Sequence, residues 1–237
     1  MTRRRWIADE VSGNRAALTG AHAEHLARVL RAQPGQEFDI ATGTNIRRGR
    51  ITSVNRDRVE FELGEEIPLS TDHNITIALA IFKFDRLEWA IEKCTELGVS
   101  RIVPIITQRT EAHLAASAPK RRERWQRIVT QASEQSRRAS VPEIAEPLKL
   151  KDTVSLAAPT RILLSESEDQ LSIKQTLASH TAGSEIILAV GPEGGWTDEE
   201  QALFKNSGWI SASLGNTVLR AETAAIAALA IVKAELT

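Results

Sequence analysis

Gly191-Pro192-Glu193-Gly194-Gly195-Trp196 places three glycines, a proline and a carboxylate within six residues. Glycine lets backbone approach a ligand closely and proline stiffens a turn, so the combination reads as a constrained loop that presents Glu193 beside a bound small molecule. The chain leaves it through Thr197-Asp198-Glu199-Glu200, where Thr197 and Glu200 stand at capping-box spacing and mark a helix start. Two other stretches carry polar groups directly after apolar runs: Leu163-Leu164-Ser165-Glu166-Ser167-Glu168 and Leu214-Gly215-Asn216-Thr217-Val218-Leu219-Arg220. No G-x-G-x-x-G opens a helix after the first strand and no G-x-x-x-x-G-K-[ST] occurs, so dinucleotide and ATP readings lose support. The five histidines (His22, His25, His73, His113, His180) lie outside these stretches and form no Ser-His-Asp set. Cys94 is the only cysteine, which excludes an internal disulfide and a multi-cysteine cluster; no metal is expected.

The elements that must position these loops alternate. Residues 75–82 form a continuous apolar run of buried-strand type, 85–97 a helix stopped by Gly98, and 101–107 the next strand. A basic helix is expected over 120–138 with Trp125, Ile128, Val129 and Ala132 inward, then strands at 161–164 and 185–190, a helix at 198–206, a strand at 210–214 and a last helix at 222–236. Such alternation predicts an α/β domain with a mostly parallel sheet, and each of the three loops follows a strand's carboxyl end, where ligands bind in such sheets. The earlier part of the chain differs. A short helix over 21–32 precedes strands at 38–40, 50–54 and 59–63, and the polar stretch 64–74 is the expected linker. The domain boundary is therefore placed between 1–70 and 74–237.

With 237 residues and a net charge of -1, the chain separates its charge along its length. Residues 1–60 hold eleven arginines and seven acids, 115–140 seven basic residues and two acids, and 141 onward seven basic residues and thirteen acids. Two basic segments and an acidic remainder fit a nucleic-acid partner held apart from the chemistry. The absence of a run of roughly 20 apolar residues argues against a membrane span, and a cytoplasmic protein is expected.

These residues resemble the RsmE-type 16S rRNA uridine-N3 methyltransferases of the SPOUT superfamily. The resemblance rests on 187–195, which ends in Val190-Gly191-Pro192-Glu193-Gly194-Gly195, with Leu214-Gly215 and Val218-Leu219-Arg220-Ala221-Glu222-Thr223-Ala224 following at the family's distance. Lys93 with 95–99, Pro104, Ala132 with 134–136, and Pro142 support it; Arg5-Trp6 and His25-Leu26 with 28–31 are similar to the family's PUA-like module. Three places depart from the pattern: Arg137 stands where glycine is common before an arginine, Thr217 where a basic residue is usual, and Ser165-Glu166-Ser167 lacks the Pro-Glu-Ala run common there.

The resemblance implies a trefoil-knotted SPOUT α/β domain behind a small PUA-like β-barrel, S-adenosylmethionine as cofactor, 16S rRNA or the small ribosomal subunit as partner, and a homodimer built on the last helix. It implies a cofactor pocket of Leu164, Ser165, Val190, Gly191, Pro192, Glu193, Gly194, Gly195, Leu214, Gly215, Val218, Leu219 and Arg220, with Glu193 and Arg220 as the catalytic pair. RNA contacts are expected from Arg4, Arg5, Trp6, Arg28, Arg31, Arg47, Arg48 and Arg50. Arg121, Arg122, Arg124 and Arg127 suit a second backbone contact or an acidic partner subunit. The competing readings are a SPOUT enzyme acting on another RNA position and a non-catalytic RNA-binding assembly factor.

Overall fold

A computed structural model describes residues 5–43, 45–67, 74–178 and 185–236. The chain divides into two compact units, one of Met1–Asp72 with Ser133–Val141 and the other of His73–Ala132 with Pro142–Thr237.

The first unit is a curled sheet. Strands β1 (Arg5–Ile7), β2 (Glu10–Ser12) and β3 (Arg15–Thr19) lead into α1 (Gly20–Glu24) and a π-helical turn (His25–Val29), followed by β4 (Glu37–Ala41), β5 (Ile46–Val54) and β6 (Arg58–Ile67). The strand order is β1-β4-β5-β6-β3-β2. Ala8 N donates to Ala41 O at 2.9 Å and Asp9 N to Ala17 O at 3.0 Å, so a two-residue step joins the sheet's two edges. On β6, Val59, Phe61 and Leu63 are buried between exposed or half-buried Glu60 and Glu62, the period-two signature of a strand with one wet face. They pack with Leu18, Leu26, Ile40 and Ile51.

The structure corrects two expectations in this unit. The helix expected over 21–32 is a five-residue α1 that widens into the π turn and ends at Arg31, whose φ of 50° is left-handed. The stretch expected to begin the linker at 64 continues β6 to Ile67, because Arg47 binds its carbonyls. Residues 68–73, and with them the expected boundary, lie outside the described residues, as does Arg4.

The second unit is a parallel sheet. In chain order come β7 (Ile75–Ala80), α2 (Phe84–Glu96), β8 (Arg101–Ile106), α3 (Ala112–Gln135), β9 (Glu143–Ile144), β10 (Leu148–Lys149), α4 (Leu150–Thr153), β11 (Thr160–Leu164), α5 (Ile173–Leu177), β12 (Ile186–Val190), α6 (Asp198–Asn206), β13 (Ile210–Ala212) and α7 (Ala221–Leu236). The strand order is β10-β8-β7-β12-β11-β13, with β9 also beside β8. Every residue of the central pair β7 and β12 is buried, as covering layers on both faces require. After the edge strand β13 the chain turns back to the middle of the sheet, where α7 packs on α2, α5 and β12. Helix α3 begins eight residues before the expected 120, taking Pro119 inside it, and stops at Gln135 rather than 138.

Three helices of the chain end in one hydrogen-bonding pattern. Gly98 (φ 94°) follows α2, with Gly98 N on Thr95 O and Val99 N on Cys94 O. Gly208 (φ 80°) follows α6 likewise, with Trp209 N on Phe204 O. Arg137 (φ 58°) follows α3, with Arg137 N on Glu134 O and Arg138 N on Ser133 O. This is the Schellman closure, whose left-handed residue is ordinarily glycine.

Candidate active site

The loops after β11, β12 and β13 converge on one open cleft. Each loop is held by its own contacts. Ser165 N donates to Ala212 O at 3.1 Å, tying the first loop to the end of β13. Trp196 is buried, stacks edge-on against Phe204 and donates its indole N–H to Leu164 O at 2.9 Å, tying the second loop to the first. Gly191 has no side chain because one would meet that indole at 3.1 Å. Gly195 sits at φ 72°, closes a turn onto Pro192 O at 2.9 Å, and faces Glu166, whose Oε1 would lie 2.8 Å from an added Cβ. On the third loop Gly215 has φ 112° and nothing within 4 Å of where a Cβ would stand, so the backbone borders open space.

Of the residues expected to hold a cofactor, Leu164, Ser165, Val190, Gly191, Pro192, Glu193, Gly195, Leu214, Gly215 and Leu219 line the cleft. Three do not. Val218 points outward and is 78% exposed, so it forms no apolar wall. Gly194 turns away, and a Cβ there would meet Arg109 Cδ at 3.1 Å. Arg220 is exposed, caps the start of α7 with its carbonyl, and among the described residues its side chain pairs with nothing. The residues expected to hold the cofactor did not include Ala212, Ala221 and Ala224, which complete the apolar lining, or Gln201, whose amide oxygen accepts from Ser167 Oγ at 3.1 Å.

Of the two expected catalytic residues, Glu193 has a partner that the sequence did not indicate. Arg86, on the first turn of α2, donates to Glu193, and its Nε stands 4.0 Å from Glu222 Oε1 on α7. Glu222 is buried, and its second oxygen has no partner among the described residues. One guanidinium thus serves two carboxylates, a strained arrangement for buried charge that the positive end of α7 partly relieves. Arg86 follows the carboxyl end of β7, at the same end of the parallel sheet as the loops after β11, β12 and β13.

A second buried carboxylate organises the site from below. Glu200 is 1% exposed and accepts from Gln108 N at 2.8 Å and from Thr197 N at 3.0 Å. The capping-box reading explains only the second bond. The first joins the loop after β8 to the glycine-rich loop.

The arginines expected on RNA have divided roles. Arg47 donates to Gly64 O at 2.8 Å, Leu63 O at 3.0 Å and Asn14 Oδ1 at 3.1 Å, which makes it a brace of the curled sheet. Arg5 donates to Arg137 O, and Trp6 is half-buried against His22 and His25 instead of open to a base. Arg28 pairs with Glu24 at 2.6 Å and Arg48 with Glu65 at 2.9 Å, on exposed or half-exposed side chains. Arg31 and Arg50 are exposed with no ion pair among the described residues. On α3, Arg121 and Arg124 both bind Glu88, at 3.3 and 2.8 Å, and Arg122 binds Glu146 at 3.0 Å; the expected second patch is largely neutralised from within.

Comparison with known proteins places this geometry. The family model for the RNA methyltransferase domain matches residues 70–233 and that for the RNA methyltransferase PUA domain residues 18–64. The ribosomal RNA small subunit methyltransferase E of Synechocystis is 36% identical over 225 residues, covering 92% of this chain and 72% of that protein. The chain belongs to this family. The enzyme of the same description from Rickettsia conorii is 31% identical over 217 residues, covering 90% of this chain and 86% of that one. The crystal structure of a ribosomal RNA small subunit methyltransferase E from Neisseria gonorrhoeae bound to S-adenosyl methionine aligns with a TM-score of 0.83 at 30% identity, over 98% of this chain and 97% of that one. The fold is that of SPOUT methyltransferases of this family, with a PUA-like sheet as the first unit.

Proposed function

We propose that this family member transfers the methyl group of S-adenosylmethionine to N3 of a uridine in 16S rRNA of the small ribosomal subunit. The observation that carries the reading is the glycine-bordered cleft at the carboxyl ends of β11, β12 and β13. The residues present fit the cofactor: bare backbone at Gly215 faces open space, Leu164, Val190, Leu214 and Leu219 supply apolar surface, and Glu166 and Glu193 supply acceptors. When bound, the cofactor supplies a methyl group on a cationic sulfur.

The chain's own work is to bring a deprotonated N3 into line with that methyl and to keep water out. Uridine N3 carries a proton and is a poor nucleophile until it leaves, so a base or a cation that stabilises the uridine anion is required. Glu193 is the residue that takes the N3 proton on its carboxylate, with Arg86 holding that carboxylate in place. Arg220, on the third loop and with no side-chain partner among the described residues, compensates the negative charge of the uridine. N3 lies on the Watson–Crick edge, so the base must be unpaired or turned out of its helix before it reacts. Among the described arginines expected on RNA, Arg31 and Arg50 are exposed without an ion pair and are the ones assigned to phosphate.

A homodimer in the cytoplasm completes the proposal. Helix α7 buries Ala225, Ala228, Leu229 and Val232, yet Ile226, Ala227 and Ile231 on its other side remain only half-buried, apolar surface that suits a second copy. The knotted path implied by the resemblance fits the return of the chain from β13 to α7.

Calorimetry tests the pocket. S-adenosylmethionine titrated into the wild type should bind with one site per chain, and Gly195→Leu, which forces a side chain into a left-handed backbone against Glu166, should abolish binding. Failure of the wild type to bind would leave an RNA-binding assembly factor as the better reading.

A further inference from the structure

The turn after β8 presents a cation that neither the fold nor the cofactor cleft uses. Its backbone is pinned on all sides: Thr107 N donates to Thr110 Oγ1 at 3.1 Å, Thr110 Oγ1 donates to Ile81 O at 3.2 Å, and Gln108 N donates to the buried carboxylate of Glu200 at 2.8 Å. Gln108 Oε1 also accepts from Thr197 Oγ1 at 3.4 Å. Arg109 is the one residue of this turn whose side chain has no hydrogen bond or ion pair among the described residues, and it is exposed. Its aliphatic part crosses Gly194, where an added Cβ would stand 3.1 Å from Arg109 Cδ, and its Nη1 reaches within 3.8 Å of the Cβ position of Gly195. Glu166 Oε1 would stand 2.8 Å from that same Cβ position, and among the described residues it makes no ion pair with Arg109.

We propose that Arg109 is an RNA-phosphate anchor at the rim of the methyl-transfer cleft, positioning the backbone next to the reacting uridine. This rests on the reading of the protein as an RNA methyltransferase. The neighbouring arginine, Arg86, is committed to carboxylates, and Arg121 and Arg124 share Glu88; among the described residues Arg109 is left free on a rigid support. A guanidinium offers a planar fork of donors matched to phosphate oxygens, and holding it before the ligand arrives lowers the entropy lost on binding. Gly194 thereby acquires a reason of its own: its missing side chain is the seat of the Arg109 stem, not part of the cleft wall.

The test compares wild type with Arg109→Gln and Arg109→Lys, measuring affinity for small-subunit rRNA across a salt series together with S-adenosylmethionine affinity and the KM for RNA. Each phosphate contact to unpaired RNA contributes about 0.7 to the slope of log affinity against log salt. Arg109→Gln should lower that slope by about 0.7, so that from 50 to 200 mM salt the wild type weakens about 2.6-fold more than the variant. Its KM for RNA should rise while cofactor affinity stays at the wild-type value, and Arg109→Lys should keep the slope. An unchanged slope and RNA KM in Arg109→Gln would overturn the anchor while leaving the enzyme intact, and a loss of cofactor affinity would show Arg109 to be a structural brace of the glycine-rich loop. A wild type that neither binds nor methylates rRNA would overturn the underlying function, and the anchor with it.

Discussion

Arg137 shows how much a single backbone angle explains. Its φ of 58° completes the Schellman closure of α3, a place where Gly98 and Gly208 close α2 and α6. A left-handed conformation costs a non-glycine residue roughly 1 kcal/mol, so Arg137→Gly should raise stability by about that amount in thermal or urea melts. The departure from the family pattern at this position was legible in the sequence; its reason, a left-handed helix cap, was not, because cap geometry depends on where α3 stops. At the cleft, Arg86→Leu should cost about 1–3 kcal/mol, since it leaves the buried Glu222 without its only ion-pair partner among the described residues, and should lower kcat by loosening Glu193. A variant with wild-type turnover would remove Glu193's orientation from the account. Glu193 itself was found from its glycine and proline neighbours, whereas Arg86 was missed because its partner lies far away in sequence and only the fold joins them.

At the scale of elements, the amphipathic and fully apolar runs were readable: β7, α2, β8, β12, α6 and α7 stand within a few residues of the pattern that the periodicity gives. The short pieces were not. Strands β9 and β10 have two residues each and exist only because β8 offers an edge to pair with. The π turn after α1 shares the apolar spacing of an ordinary helix, so spacing could not distinguish them. The segment Ser133–Val141 joins the first unit through contacts that no local pattern announces. His22 is central to them, with Nε2 on Glu134 at 2.9 Å and Nδ1 on Asp9 at 3.2 Å. The hydrogen bond to Glu134, helped by the charges of Glu134 and Asp9 and opposed by burial, pushes its pKa from 6.5 up to about 9. Because the folded value is the higher one, the stabilisation is complete below pH 6.5 and is lost as pH rises through about 9. Thermal melts from pH 6 to 10 should therefore show a downward trend that His22→Gln removes; equal slopes for both proteins would contradict the assignment.

For the whole molecule, the segregation of charge along the chain agrees with membership of an RNA methyltransferase family, but counting arginines overstated how many are free of ion pairs among the described residues. Arg47 belongs to the sheet, and Arg47→Ala should cost about 1–3 kcal/mol through its lost carbonyl contacts with little change in RNA affinity per folded molecule. Arg50→Ala should leave the melting temperature alone and weaken RNA binding. The reverse pattern would assign the RNA face elsewhere.

The central claim is the reaction, and nucleoside mass spectrometry tests it most directly. Small subunits and naked small-subunit rRNA lacking the modification, incubated with S-adenosylmethionine and the protein, should yield 3-methyluridine with the wild type and none with Gly195→Leu. A methyl group found on any other nucleoside or on a ribose hydroxyl would contradict the N3 assignment, and no methylation of either substrate by a wild type that binds the cofactor would contradict the proposed reaction.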